Sequence, residues 1–258
     1  SMNIGAGASG ISFSGLQMFP TMGPKQVTVW ISGSTVRALD TGIGQIFSSG
    51  VDATTVIQAA WDHVAGGQAG GTVSVMRGVY NMVSPLTISG SIVTNLEGEG
   101  NSRSRLNSVS GDACIVFAPG ADSVEIRGLW LTHNNASQSG GLLVFQGDNN
   151  IIRIQNTNFY DFGRFLGNAI QIQNQSGSIN RIWFEDIYIQ DFSGAIRVES
   201  TAGTTYNITD LVFDNVYGSQ SRYLVSVKSS ISGAFNGISF TNCKFQWSSG
   251  AAHVFDYE

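Results

Sequence analysis

The sequence has few charged residues and no long apolar run, and each shortage excludes a class of protein. Only 12% of its 258 residues are charged, and 18 acidic residues outnumber 13 basic ones. This balance argues against a nucleic-acid-binding protein that neutralises phosphates with a basic surface. No run of about 18 apolar residues is present, so no membrane insertion is expected. The two cysteines, Cys114 and Cys243, say little about the redox environment.

Glycine is abundant, and apolar residues are present in ordinary amount. The chain has 32 glycines, about twice the usual share of about 7%. These glycines follow no three-residue period, which excludes collagen. Because 42% of the residues are hydrophobic and the net charge is only −5, disorder is not expected either. What remains is a turn-rich chain with an apolar core.

The N-terminal fifth of the chain divides into two short segments. Residues 1–23 are rich in Gly and Ser and are predicted to form a flexible arm, with Ser1-Met2 as a tag remnant. Residues 24–51 alternate weakly between apolar and polar side chains around a Gly-Ser turn, which predicts a small hairpin.

One helix is predicted, at residues 52–65. Its apolar residues recur on one helical face, Asp52 or Thr54 is the expected N-cap, and Gly66 and Gly67 end it. After this segment the helical period disappears.

Five later segments share one apolar template. They begin at residues 124, 152, 182, 211 and 238, at intervals of 28, 30, 29 and 27 residues. Apolar residues recur at offsets 0, +2, +5 and +7 from each start, which predicts two short strands joined by a sharp bend. The bend position at offset +4 is occupied by residues that tolerate left-handed backbone angles: Gly128, Asn156, Asp186, Asn215 and Asn242.

A third strand is predicted to close each repeat. Its inward pairs are expected to be Leu142/Val144, Ile170/Ile172, Ile196/Val198, Val225/Val227 and Ala252/Val254. Three strands in about 28 residues describe an all-β fold, a right-handed parallel β-helix, with rungs about 4.8 Å apart. We therefore predict one such domain over residues 52–258, capped by the helix at its N-terminal end.

Two further expectations follow from the coil count. Cys114 and Cys243 lie roughly four rungs apart, on the order of 20 Å, so no disulfide between them is expected. No second capping helix is predicted after Phe255, so we expect a partner or further chain to cover that end.

The N-terminal part of this domain resembles a known superfamily. The resemblance is carried by the segments 52–60 (DATTVIQAA), 70–73 (GGTV), 78–80 (GVY), 85–88 (PLTI) and 96–100 (LEGEG). Together they resemble the N-terminal module of pectate-lyase-like β-helix proteins, which include viral tailspikes and secreted polysaccharide-degrading enzymes. The resemblance spans roughly residues 36–258 and implies the fold more than an activity.

The catalytic signatures of two enzyme groups in that superfamily are absent. Polygalacturonase-type members carry Asn-Thr-Asp, Asp-Asp and Gly-His-Gly motifs, whereas this chain has Asn156-Thr157-Asn158 and neither of the other two. The Trp-Ile-Asp-His motif of secreted pectate lyases is also absent. The resemblance is therefore to the tailspike-like members, which implies homotrimeric assembly and an extracellular or virion location.

Equal offsets in successive coils stack into surface columns, and two columns carry paired carboxylates. Offset +9 places Asp161 and Asp191 one coil apart beside His133. One rung is near the 5–5.5 Å that a retaining glycosidase needs between its carboxyl groups, although turn-forming aspartates would give the same pattern. A second candidate pair is Glu185 and Asp214 at offset +3, where a structural ladder is the competing interpretation.

Substrate-binding residues are predicted in a third column. Offset +6 places Trp130, Tyr188 and Tyr217 outward, as suits either a sugar-binding platform or a subunit interface. His133 is a further candidate for substrate contact. Arg197 is expected either to bind an acidic sugar or to pair with Glu199. No metal-ligand spacing and no cofactor motif is present.

Three hypotheses about function stay open. The first is a tailspike-like protein that binds a cell-surface polysaccharide, with cleavage by Asp161 and Asp191 as an extension. The second is a non-catalytic structural or adhesive β-helix domain of a virion or secreted fibre. The third is a secreted polysaccharide lyase in which Arg197 or a tyrosine removes a proton from a uronate.

Overall fold

The strands and the helix follow one another along a repetitive path. A computed structural model describes residues 24–67, 69–90, 92–100, 103–134, 140–162, 167–200, 207–219, 223–229, 235–246 and 253–257. The predicted arm, residues 1–23, lies outside the described residues. Within them, no helix is long and apolar enough to cross a membrane.

The described residues form twenty-two strands and one α-helix. In chain order these are β1 (Lys25–Ser32), β2 (Thr35–Asp40), β3 (Gln45–Gly50), α1 (Ala53–Ala65), β4 (Gly71–Val75), β5 (Gly78–Met82), β6 (Leu86–Ile88), β7 (Thr94–Gly98), β8 (Ser104–Ser108), β9 (Ile115–Phe117), β10 (Asp122–Arg127), β11 (Trp130–His133), β12 (Gly141–Phe145), β13 (Asn149–Gln155), β14 (Asn158–Tyr160), β15 (Asn168–Gln173), β16 (Ile179–Gln190), β17 (Gly194–Ser200), β18 (Ile208–Ser219), β19 (Tyr223–Ser229), β20 (Phe235–Thr241), β21 (Lys244–Gln246) and β22 (His253–Tyr257).

The strands stack in parallel into three faces, as the repeat predicts. The first face contains β4, β7, β10, β13, β20 and the first halves of β16 and β18. The second contains β5, β8, β11, β14, β21 and the second halves of β16 and β18. The third is a seven-stranded sheet running from β6 to β22. The predicted parallel β-helix is confirmed, and we call these faces the first, second and third sheets.

The predicted register of the first two sheets is confirmed by the strand pairing. Val124 pairs with Ile152, Ile152 with Ile182, Ile182 with Leu211, and Leu211 with Ile238. The third sheet is different in two coils. There Leu143 and Phe145, not Leu142 and Val144, pair with Ile170 and Ile172, and Val225 pairs with Phe255 in place of the predicted residues of the last coil. A loop precedes each third strand, so the offset in the sequence does not fix its register.

The bends between the first and second sheets have the predicted backbone conformation. All five residues at offset +4 have positive φ: Gly128 at 68°, Asn156 at 45°, Asp186 at 55°, Asn215 at 54° and Asn242 at 53°. A Cβ atom added at Gly98, in the coil before, would lie 2.2 Å from the carbonyl oxygen of Gly128. Glycine at 98 is therefore required by the close approach of two coils.

Inward side chains form one continuous core through the coils. Phe184 stacks on Phe213 and Phe213 on Phe240, with ring centroids 4.8 Å apart in both pairs. Cys114 is fully buried, and burial raises the pKa of its thiol to about 12, so it is a core residue and not a reactive one. Both cysteines are free.

The helix covers the N-terminal end of this core. Its own residues Val56, Ile57 and Trp61 are buried. The Asp52 carboxylate accepts hydrogen bonds from the backbone N–H groups of Thr54 and Thr55 as the N-cap. The side-chain amide of Gln58 bonds to both backbone groups of Thr87 in β6, at 3.0 and 2.8 Å. Gln58 thus satisfies backbone groups at the exposed edge of the third sheet, which would otherwise be available for strand pairing.

The segment before the helix continues the first sheet. Residues 25–50 form a three-stranded antiparallel meander, one strand more than the predicted hairpin, and β1 pairs in parallel with β4. Asp40 at the end of β2 accepts a hydrogen bond from His63 of α1 at 2.7 Å. His63 is therefore a residue that joins the helix to the meander.

The Asp40–His63 contact predicts acid sensitivity at the capped end. The hydrogen bond from His63 lowers the pKa of Asp40. A carboxylate with a lowered folded pKa stabilises the fold above its ordinary pKa of about 3.9 and loses that contribution as pH falls through the folded value. Asp40→Asn should therefore cost about 2 kcal/mol near pH 5, and this difference from wild type should shrink as the pH is lowered below the ordinary pKa of the carboxyl group, as measured by denaturant unfolding.

The same substitution at exposed Asp62 on α1 is the matched control, with an expected cost below about 0.5 kcal/mol. A difference between wild type and Asp40→Asn that persists unchanged at the lower pH would contradict the assignment.

Candidate functional site

The outer face of the second sheet carries an aromatic surface. Alternate residues of a strand point to opposite faces of the sheet. Each strand there has two outward positions, and these align between successive strands into two rows. The first row contains Val79, Arg105, Trp130, Asn158, Tyr188, Tyr217 and Lys244. The second contains Asn81, Asn107, Thr132, Tyr160, Gln190, Ser219 and Gln246.

Five aromatic side chains form what we call the aromatic strip: Trp130, Tyr160, Phe162, Tyr188 and Tyr217. The rings of Tyr188 and Tyr217 are stacked, with centroids 5.2 Å apart and planes 12° from parallel. Tyr160 meets Phe162 edge to face at 4.6 Å, and Trp130 lies 6.2 Å from Tyr160. The structure thus brings together the three predicted residues of offset +6 and adds two that the repeat did not indicate.

Parts of the strip are open to solvent, and its polar tips are held in place. Phe162 is 40% exposed and Tyr188 is 36% exposed. The hydroxyl of Tyr188 donates to Gln190 Oε1 and that of Tyr217 donates to Gln246 Oε1, both at 2.8 Å. Rings fixed in this way lose little conformational freedom on binding a ligand.

Arg105 lies at the N-terminal end of the strip, and sequence reasoning missed it. Its guanidinium carbon is 5.1 Å from the ring centroid of Trp130 and 4.5 Å from that of Phe162. Its Nε donates to Thr132 Oγ1 at 3.0 Å, and burial lowers the pKa of its guanidinium. Arg105 occupies the offset +6 row one coil before the first regular repeat, so extending the repeat backwards is the signal that would have found it.

His133, Asp161 and Asp191 lie beside the strip, but beneath the surface. His133 Nε2 is 2.5 Å from Asp161 Oδ1, and both side chains are fully buried. Asp191, in the next coil, is 2% exposed and has a positive φ of 67°. The structure thus brings His133 and Asp161 together, and both aspartate carboxylates of offset +9 are shielded from solvent.

Asp191 connects this buried column to the aromatic strip. The pKa of Tyr160 is raised, first by desolvation and then by the charge of Asp191, with which its hydroxyl hydrogen-bonds. Desolvation and the neighbouring groups Tyr217, Asp191 and Tyr160 likewise raise the pKa of Tyr188. Asp191 thus raises the pKa values of two tyrosines of the strip.

The second candidate pair, Glu185 and Asp214, belongs to a ladder on the first sheet. The two residues are register partners in neighbouring coils. Gln155 donates a hydrogen bond to Glu185, and Asn242 donates one to Asp214 at 3.2 Å. Both carboxylates accept hydrogen bonds from side chains of neighbouring coils, which favours the ladder interpretation.

Arg197 lies on the third sheet, separate from the strip. Its Nη2 is 3.2 Å from Glu199 Oε2, and Gln173 donates to the same oxygen at 3.3 Å. The structure thus shows Arg197 paired with Glu199, the simpler of the two alternatives.

The described residues contain no group of three or more His, Cys, Asp or Glu side chains arranged to hold a metal ion. An open polar groove follows the corner between the third and first sheets. It is lined by Asp122, Asp148, Asn150, Asn180, Arg181 and Asp210, among others.

Comparisons with known proteins add little to this description. No protein-family model matches the chain, and no curated protein matches it. Among solved structures, ORF18 of Geobacillus virus E2 is 12% identical, with 87% of this chain and 68% of that chain covered at a TM-score of 0.35. We infer nothing about the site from so weak a similarity. The class that the fold defines is the β-solenoid, and membership of the pectate-lyase-like superfamily stays a prediction.

The buried His133–Asp161 pair predicts a large effect on stability. Asp161→Ala removes one member of a fully buried charged or hydrogen-bonded pair, and such losses cost about 3 kcal/mol or more. We expect a strongly lowered midpoint in denaturant unfolding followed by circular dichroism.

The control is Asp112→Ala, because Asp112 is exposed and the change should cost less than about 0.5 kcal/mol. Equal stability of the two variants would show that the buried pair does not contribute to the fold.

Proposed function

We propose that this protein binds an extended polysaccharide along the aromatic strip. The observation that carries the proposal is the stacked, half-exposed Tyr188–Tyr217 pair in line with Trp130, Tyr160 and Phe162. Sugar rings have apolar faces that pack on aromatic rings, while hydroxyl tips and amides supply hydrogen bonds at their edges.

The dimensions of the surface suit a linear ligand. From Arg105 to Lys244 the outward row crosses five coil steps, which is roughly 24 Å at 4.8 Å per step. The groups along it repeat at the same spacing as the coils. A polymer with a repeating structure is the kind of ligand that such a periodic surface fits.

The biological setting that we propose is a tailspike-like or adhesive one, with a cell-surface polysaccharide as the ligand. This part, with homotrimeric assembly and an extracellular or virion location, rests on the sequence resemblance described above. It is supported by the parallel β-helix and by an exposed aromatic face, and both features also fit a non-catalytic fibre domain.

The binding proposal predicts that removing the tyrosine rings weakens polysaccharide binding. The probe is a panel of immobilised neutral and acidic polysaccharides, with retention of the protein measured by biolayer interferometry. For the polysaccharides that are retained, Tyr188→Ala and Tyr217→Ala should each weaken binding about tenfold, equivalent to about 1.4 kcal/mol.

Trp183→Ala is the matched control, because Trp183 is an outward aromatic residue of the first sheet. The proposal fails if nothing in the panel is retained or if the tyrosine variants bind like wild type. If instead these variants change the mass of the assembly in light scattering without changing binding, the strip is a subunit interface.

Cleavage is a second candidate function, favoured by the hydrogen bond between Tyr160 and Asp191 at the edge of the strip. Acid/base chemistry requires a carboxyl group within reach of the glycosidic oxygen, and Asp161 and Asp191 are both buried in the unliganded chain. Cleavage by this pair would therefore need the surface to open when substrate binds.

The test is the release of reducing ends from a polysaccharide that the panel retains. Asn tolerates left-handed backbone angles, so Asp191→Asn should keep the fold and bind within about threefold of wild type while losing cleavage about a hundredfold or more. Undiminished cleavage by this variant would exclude the acid/base role. If wild type releases no reducing ends, the protein binds without cleaving.

A further inference from the structure

The outer face of the second sheet differs in charge from the rest of the molecule. Its fourteen outward residues include two basic ones, Arg105 and Lys244, and no acidic residue in any of its described strands. The chain as a whole has net charge −5. The outward residues of the first sheet, by contrast, include two basic ones, Arg127 and Arg153, and four acidic ones: Glu97, Glu125, Glu185 and Asp214.

Arg105 lies over two neighbouring aromatic rings of this face, whose centroids are 6.3 Å apart. Its guanidinium lies against both Trp130 and Phe162, within the distance at which cation–π attraction operates. A chain of hydrogen bonds sets its direction, because Thr132 accepts from Arg105 and itself donates to Asn107 at 3.0 Å.

The binding capacity of Arg105 is largely unused by the protein. Only one of its five N–H groups is needed for the bond to Thr132, and within the described part of the chain it forms no ion pair with a carboxylate. The pairs that are formed involve Arg127, Arg153 and Arg197.

Arg153 has a similar arrangement, but a neighbouring carboxylate neutralises its charge. It also lies over an outward indole, that of Trp183 on the first sheet, at 5.7 Å. Its Nε, however, is 3.6 Å from Glu185 Oε1. Stacking on tryptophan is therefore shared by the two arginines, and the neighbouring carboxylate is the difference between them.

We propose that the aromatic strip is specific for an anionic polysaccharide and that Arg105, which lies over the neighbouring rings of Trp130 and Phe162, binds the acidic group of one sugar unit. This inference rests on the proposed function. A planar guanidinium matches carboxylate and sulfate or phosphate oxygens two at a time. The rings beside Arg105 would pack against the face of the sugar, while the N–H groups of Arg105 would contact its acidic group.

The experiment compares acidic polysaccharides with neutral counterparts. The probes are alginate, polygalacturonate and hyaluronate, each beside its carboxyl-reduced form, and dextran sulfate beside dextran. Wild type should bind at least one acidic probe about tenfold or more tightly than its neutral counterpart. The carboxylate and sulfate arms show which acidic group is recognised.

Arg105→Gln should bring the acidic probe down to the level of its neutral counterpart, whereas Arg153→Gln on the first sheet should keep the full preference. Phe162→Ala keeps the arginine but removes one of the two rings that its guanidinium contacts, and because Phe162 is 40% exposed the fold should tolerate it. This variant should weaken binding of the acidic probe several-fold.

The possible results separate the two proposals. Equal binding of acidic and neutral forms, or a preference that survives Arg105→Gln, overturns the role of Arg105 and leaves polysaccharide binding standing. An equal loss with Arg153→Gln shows non-specific attraction of a polyanion and also overturns it. If neither acidic nor neutral probes nor any member of the panel is retained, polysaccharide binding itself is wrong.

Discussion

The backbone hydrogen bonds that join each coil to the next place every residue directly beside its equivalent in the neighbouring coil. A substitution in one coil therefore affects the two coils that contact it. It produces the Phe184–Phe213–Phe240 column in the core and the Tyr188–Tyr217 pair outside by the same geometry. It also explains the glycine at 98, where the backbones of two coils approach too closely for a side chain.

Stacking aligns polar and aromatic side chains in columns, and the columns differ in whether these groups interact within the fold or remain at the surface. On the first sheet, the paired carboxylates Glu185 and Asp214 are bonded to residues of the neighbouring coils, so their polar groups are used within the fold. After β11 and β14 of the second sheet, His133 and Asp161 contact each other in the interior. On the second sheet the rings and the guanidinium of Arg105 remain at the surface, which is why we assign binding to that face.

Most of the fold could be predicted from the repeat, and the exceptions have specific causes. The left-handed bends at offset +4 were predictable because Gly, Asn and Asp signal that conformation. A second set of left-handed residues lies near the start of β10, β13, β16, β18 and β20, at Ser123, Ile151, Arg181, Asp210 and Gly237. Ser123, Ile151 and Arg181 are not of the residue types that signal this conformation, so it is imposed there by the coil. The third strands were displaced in two coils because loops of different length precede them.

The sequence by itself determined the coil period, the capping helix, and the inward positions and outward columns of the first two sheets, because strand alternation and parallel register are local and repetitive. Only the tertiary structure decided which columns are open. Burial of Asp161 and Asp191, the pairing of Arg197 with Glu199, and the position of Arg105 over Trp130 and Phe162 depend on how neighbouring side chains pack across coils. Exposure and partner choice are properties of that packing, which no single repeat contains.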